Sequence, residues 1–132
     1  MIFLDTNVCI AFLHGDEKIE RRIYAADEMD TVQIPGMVQG ELYYGVEKST
    51  RPEENRKQTD KLLSVFPVCH ADDEVMKKFG QLKAGLEKTG KRVDDADVLI
   101  AATAICNNAT LATGNLKHFS RFESLKVENW FA

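Results

Sequence analysis

The sequence predicts an α/β fold, a three-layer sandwich in which a mainly parallel sheet is flanked by helices, and three observations predict it. Short apolar, partly β-branched runs recur along the chain, at residues 2–4, 31–34, 65–69, 110–113 and 125–128. Segments with helical periodicity separate them, as where Val75, Phe79, Leu82 and Leu86 fall on one face. Gly15, Gly36, Gly90 and Gly114 punctuate the changes from one kind of segment to the next. Alternation of this kind marks a parallel sheet whose strands are joined by crossover helices.

Taken in order, Ile2-Phe3-Leu4 reads as a buried strand and Asp5-Thr6-Asn7 as its exit into a helix, continued by the apolar stretch 9–13. A second helix covers 19–26. After the strand at 31–34, Pro35 suits a first helical turn, where its missing N–H costs nothing, and Val38, Leu42 and Val46 recur every four residues. Thr50-Arg51-Pro52-Glu53-Glu54 separates that helix from the next, over 53–63. The strand at 65–69 leads to an amphipathic helix over 72–88. Residues 94–102, with Val98-Leu99-Ile100-Ala101-Ala102, begin a helix too apolar to be anything but core. The strand at 110–113 ends in the polar turn Gly114-Asn115, and 125–128 supplies the last strand.

At 132 residues the chain suits a single domain, residues 1–132, with no internal repeat, linker or low-complexity tract. A domain of that size buries roughly 68% of the surface of its unfolded chain, so no disulfide staple is needed. Cys9, Cys69 and Cys106 are odd in number, widely spaced and flanked by apolar residues, and they read as buried reduced thiols. No stretch approaches the roughly 18 apolar residues of a membrane span, and no basic-then-apolar leader opens the chain. The expectation is a soluble, cytoplasmic protein with no membrane partner. A net charge of −4 and a pI near 5.4 weigh against binding nucleic acid by charge alone.

Three acids, Asp5, Glu41 and Asp97, stand where the chain turns from a buried segment toward a surface, with no basic residue beside them in sequence. Spacing of that kind builds a metal site. Each has a plainer reading: Asp5 or Asn7 as a helix cap, Glu41 as a solvated helix residue, Asp97 as an acid favoured by the dipole of its helix. Asp94 and Asp97 form a like-charge i, i+3 pair, which a helix tolerates better with a cation nearby. Asn115 is a turn former on the plain reading and a fourth polar group at the same rim on the other.

Leu4-Asp5-Thr6-Asn7, Gly40-Glu41-Leu42-Tyr43-Tyr44-Gly45-Val46, residues 90–102 around Asp97, residues 111–119 and Leu125-Lys126-Val127-Glu128-Asn129-Trp130 together resemble the PIN-domain ribonucleases, and most closely the VapC toxins of bacterial toxin–antitoxin pairs. The resemblance spans the chain, with five motifs in order. It implies a PIN-like sheet between helices, an acidic site of Asp5, Glu41 and Asp97 with Asn115 where relatives carry Asp or Asn, and Mg2+ or Mn2+ as cofactor. It further implies cleavage of structured RNA such as tRNA to 5′-phosphate and 3′-hydroxyl ends, a homodimer, and inhibition by a cognate antitoxin. Asp94 departs from the family, which often has Gly there.

On this reading Asp5 and Asp97 are the principal metal ligands, and Glu41 is a ligand or the general base that orients water. Asn115 holds a water or part of a second ion's shell, and the hydroxyls of Thr6 or Thr113 position phosphate. Lys91 and Arg92 before the Asp97 helix, with Lys117, His118 and Arg121 after the Asn115 turn, flank the site as RNA contacts. Ile10, Phe12, Leu13, Tyr43 and Tyr44 are the candidates for an exposed apolar patch. Two rivals share the fold class: a phosphoacceptor receiver, whose acid pair and mid-chain strand ending in Asp are met here only by Asp5 alone and Pro67-Val68-Cys69-His70, and a non-catalytic acidic α/β binding module whose acids only cap helices.

Overall fold

A computed structural model describes residues 1–132. Its elements run β1 (Ile2–Leu4), α1 (Thr6–Leu13), α2 (Glu17–Met29), β2 (Val32–Pro35), α3 (Gly36–Glu47), α4 (Pro52–Val65), β3 (Val68–Cys69), α5 (Asp73–Lys88), α6 (Asp95–Cys106), β4 (Thr110–Thr113), α7 (Leu116–Phe119) and β5 (Lys126–Asn129). The five strands form one sheet in the order β3-β2-β1-β4-β5, and every pairing is parallel. Ile2 lies opposite both Val32 and Thr110, so β1 is the central strand. A strand buried on both sides needs apolar residues at consecutive positions, and Phe3 and Leu4 are both fully buried.

Helices cover the sheet, with α1 and α6 packed against β4 and with α2 and α6 against β2. Helix α6 is the innermost. Val98 and Ile100 through Ala104 are buried on nearly its whole circumference, as its unbroken apolar sequence requires. Phe3, Phe66 and Phe119 are the largest fully buried side chains, and each stabilises the core by about 1.5–3 kcal/mol relative to exposure.

Several expectations need correction. Residues 65–67 are not strand: Val65 closes α4 and Phe66 caps it, so β3 shrinks to two residues at the sheet edge. Pro35 ends β2 and precedes the first helical residue rather than occupying it. A short helix, α7, follows Asn115 where only a turn was expected. Of the cysteines, all free, Cys9 alone is buried, Cys69 is half-buried and Cys106 is exposed. The cause is local: Cys106 is the last residue of α6, where the helix leaves the core.

Candidate active site

From β1 the chain builds outward to β2 and β3 on one side, then returns to add β4 and β5 on the other. Parallel sheets open a crevice at the carboxyl ends of the strands where this order reverses, here between β1 and β4. Asp5 follows β1 directly, and its N–H donates to the Ala112 carbonyl at 3.0 Å, so the β1–β4 ladder carries the carboxylate to the crevice.

Asp5 is only 5% exposed. One of its oxygens accepts from the Thr6 N–H at 2.8 Å, the other from the Thr113 hydroxyl at 2.6 Å. Burial pushes its pKa up, against the lowering effect of those two hydrogen bonds, and the negative charges of Asp97 and Glu41 push it further the same way. All three predicted acids therefore share one electrostatic neighbourhood. Glu41, half-buried on α3, accepts from the Thr6 hydroxyl at 2.7 Å. Asp97 lies in the first turn of α6, where the helix dipole favours an anion, and its carboxylate is 3.3 Å from Nδ1 of His118.

The rim is stitched by residues that sequence reading undervalued. Asn7 accepts from the Gly114 N–H at 3.2 Å, and the Thr113 hydroxyl also accepts from the Asn115 N–H at 3.0 Å. Gly114 lets the Phe131 ring lie close over the backbone, since a Cβ there would stand 2.6 Å from that ring and push it aside. The Asn7–Gly114 bond joins residues 107 positions apart, and no local pattern announces it. The hydroxyls of Thr6 and Thr113, expected to meet phosphate, instead give their protons to Glu41 and Asp5.

Other predicted residues fall outside this knot. Asp94 is exposed at the N-cap of α6, makes no capping bond, and is absent from the charges that bear on Asp5. It is the N-cap rather than a residue inside α6, with Asp97 three residues on in the first turn. Asn115, the residue before α7, joins the knot only through its N–H, and its side chain makes no capping bond. Lys91, Arg92 and Lys117 are exposed. Arg121 donates to the Arg92 carbonyl at 2.6 Å, which draws the segment before α6 toward α7 and brings two of the predicted basic residues together. Of the predicted apolar patch, Ile10 and Tyr44 are exposed, while Phe12 and Leu13 pack partly against the core and Tyr43 donates its hydroxyl to Asp60.

The donor set is made of hard oxygens, with no lysine or arginine paired to Asp5 or Glu41, and a divalent cation fits that chemistry. No three Asp, Glu, His or Cys side chains close into a ready cage.

Comparison with known proteins agrees with this geometry. The PIN domain family matches residues 2–125. Ribonuclease VapC2 of Rickettsia felis is 35% identical over 128 residues, covering 96% of each chain. The chain belongs to the VapC ribonucleases, toxin endoribonucleases of the PIN-domain family. A VapC from Salmonella typhimurium described as a tRNA(fMet)-specific endonuclease is 30% identical over 127 residues, again covering 96% of each chain. The crystal structure of VapBC2 from Rickettsia felis, bound to a DNA fragment from their promoter, contains a chain that superposes with a TM-score of 0.91 over 98% of this chain and 99% of its own. VapC membership sets aside the non-catalytic binding module and the receiver domain. No helix is long and apolar enough to cross a membrane.

Proposed function

We propose that this VapC chain is a single-domain toxin of the cytoplasm that hydrolyses a structured RNA, a tRNA, at the β1–β4 rim with Mg2+ or Mn2+ bound. The observation that carries the reading is Asp5, a buried carboxylate whose neighbours are two further carboxylates and no lysine or arginine. Such a group ionises at little cost only when a cation comes from outside the chain. When bound, the divalent ion would ease deprotonation of water and neutralise charge building on the phosphate oxygens.

The chain's own residues do the rest. Asp5 and Asp97 would hold the ion, since each oxygen of Asp5 takes one donor, from Thr6 or Thr113, and keeps acceptor capacity beyond it. Glu41, fixed by Thr6, is a ligand or takes the proton of the attacking water. Water bonds to phosphorus as the bond to the 3′ oxygen breaks; that oxygen gains a proton from solvent, which leaves 5′-phosphate and 3′-hydroxyl ends. Asn115 holds a water at the rim. Lys91, Arg92, Lys117 and Arg121 receive backbone phosphates, with Arg121 already braced on Arg92.

The partner is a cognate antitoxin, as the VapBC complexes of Rickettsia felis and Salmonella typhimurium support. An apolar hollow of about 330 Å3 between α1, α2 and α4, lined by Phe12, Tyr24, Leu62 and Val65, suits an apolar helix face of such a protein. Two toxin chains would pair in the complex. The test is sequencing of RNA ends after induction in cells, together with cleavage by purified protein in Mg2+, Mn2+ or EDTA. Metal-dependent cuts with 5′-phosphate ends at one tRNA position are expected, and full activity in excess EDTA would overturn the reading.

A further inference from the structure

Each acid at the rim is held by a donor from another residue's side chain, Glu41 by the Thr6 hydroxyl and Asp5 by the Thr113 hydroxyl. For Asp97 the donor is an imidazole. One carboxylate oxygen, Oδ2, lies 3.3 Å from Nδ1 of His118, and this is the one side-chain hydrogen bond that Asp97 makes. An ionised carboxylate can only accept, so Nδ1 carries the proton and is the donor. The sequence suggests His118 as an RNA contact; the structure turns the ring to the acid instead.

Asp97 has need of such a partner. It stands in the first turn of α6, whose N-cap Asp94 makes no side-chain capping bond, unlike Asp16 and Asp72 ahead of α2 and α5. What fixes that turn comes from other elements. Lys83 of α5 pairs with Asp95 at 3.0 Å, Arg121 bonds the Arg92 carbonyl at 2.6 Å, and His118 takes Asp97 itself. His118 has a firm seat for this: α7 is closed by the Ser120 N–H on the Leu116 carbonyl at 2.8 Å, and the neighbouring Phe119 is fully buried in the core. The side chain of Asp97 is 19% exposed and that of His118 46%, so the pair lies at the open edge of the site, where an unbraced carboxylate would rotate. We propose that His118 is a positioning residue, which by donating to one oxygen of Asp97 fixes the plane of that carboxylate and leaves the other oxygen free for the divalent ion. Partners of this kind orient metal ligands, and losing one typically costs about 10- to 100-fold in metal affinity or activity. The proposal rests on the reading of Asp97 as a metal ligand.

The test has two arms, on full-length protein whose folding is checked by circular dichroism. In the first, Mn2+ binding is measured without RNA, from the electron paramagnetic resonance of the free ion, for the parent, Asp97→Asn, His118→Ala and His118→Asn. His118→Ala should bind Mn2+ about tenfold more weakly than the parent. His118→Asn, whose amide N–H stands close to the place of Nδ1, should recover most of that loss. Parent-like binding by His118→Ala beside weakened binding by Asp97→Asn overturns the proposal and leaves Asp97 a ligand. Parent-like binding by Asp97→Asn overturns the ligand reading and the proposal with it. Tighter binding by His118→Ala would mean that the ring competes with the ion, and also overturns the proposal. In the second arm, RNA cleavage is followed as metal and RNA are varied separately. His118→Ala should raise the metal concentration for half-maximal rate by the same factor as its loss of Mn2+ affinity, with the KM for RNA at saturating metal unchanged. A raised KM in both His118→Ala and His118→Asn, with Mn2+ binding unaltered, would make His118 an RNA contact and overturn the proposal. The predicted Mn2+ affinities without any RNA cleavage by the parent would keep the positioning role and sink the nuclease reading.

Discussion

Four helices of this chain begin behind an aspartate, and the four aspartates do different things. Asp16, ahead of α2, accepts from the N–H groups of Lys18 and Ile19, both at 3.1 Å, and Asp72, ahead of α5, accepts from that of Val75 at 2.9 Å. These are ordinary caps in the solvent, and they satisfy amides that the helix leaves free. Asp94 caps nothing with its side chain. Asp5 reaches only the adjacent Thr6 N–H and turns its other oxygen to Thr113, 108 positions away. A carboxylate turned away from its own helix and buried beside other carboxylates costs stability, which makes sense where it serves a ligand. The same residue type at the same local position is structural in one pair and not in the other, and only the cross-chain partner tells them apart.

The largest effect should separate Asp5, with its site neighbour Asp97, from the two caps by activity. Asp5→Asn and Asp97→Asn should each lower RNA cleavage about 10²-fold or more, since each removes a charged ligand at constant volume. Asp16→Asn and Asp72→Asn, which still cap, should cut at the parent rate. Initial rates at saturating Mg2+, with circular dichroism as a check on folding, decide it; equal losses in all four would erase the distinction.

Next in size is Thr113→Val. Thr113 is fully buried and serves both Asp5 and the Asn115 N–H. Removing its hydroxyl leaves both without their partner, at about 1–3 kcal/mol in urea unfolding. Cleavage should fall about 10-fold because Asp5 loses its brace. A cleavage loss without a stability loss would place the hydroxyl on the substrate instead.

Stability should move in opposite directions across the comparison. Asp16→Ala or Asp72→Ala should cost about 1 kcal/mol, the usual value of a lost cap. Asp5→Asn should raise the melting temperature of metal-free protein at neutral pH, because it removes a buried charge. The sign follows from the raised pKa of Asp5. Its contribution is fully present below the ordinary carboxylate range and is lost as pH rises through the raised value. The parent should therefore lose stability over that window, Asp5→Asn should lose less, and added metal should restore more to the parent than to the variant. Melting curves of both across acidic to neutral pH, with EDTA or Mg2+, measure each part. A lower melting point for metal-free Asp5→Asn at every pH would return Asp5 to the class of ordinary caps.

The smallest effect concerns Asn115, which brings an amide and no charge to the rim. Asn115→Ala should weaken cleavage severalfold, less than Asp97→Ala does, and Asn115→Asp should lower the metal concentration needed for half-maximal rate. Metal-dependence curves for the three variants test this, and an Asn115→Ala curve superimposed on the parent's would leave the residue only its turn.

The sequence alone determined the strand–helix alternation, because burial on both faces of a parallel sheet writes apolar runs such as Ile2-Phe3-Leu4 and helical faces such as Val75, Phe79, Leu82 directly into the chain. It marked Asp5, Glu41 and Asp97 as well, since acids beside apolar segments are conspicuous. It misplaced the residues at 65–67, where a helix end and a strand carry the same apolar signal. What tertiary structure alone decided was which groups meet. The strand order brings the end of β1 beside the end of β4, and from that follow the Thr113 hydroxyl on Asp5, the Asn7 amide on Gly114, the Phe131 ring over Gly114 and His118 beside Asp97. Periodicity reports which way a side chain faces relative to its own helix or strand. A contact across 108 residues depends on the order in which strands join the sheet, and that order is set by packing of the whole chain rather than by any local stretch of it.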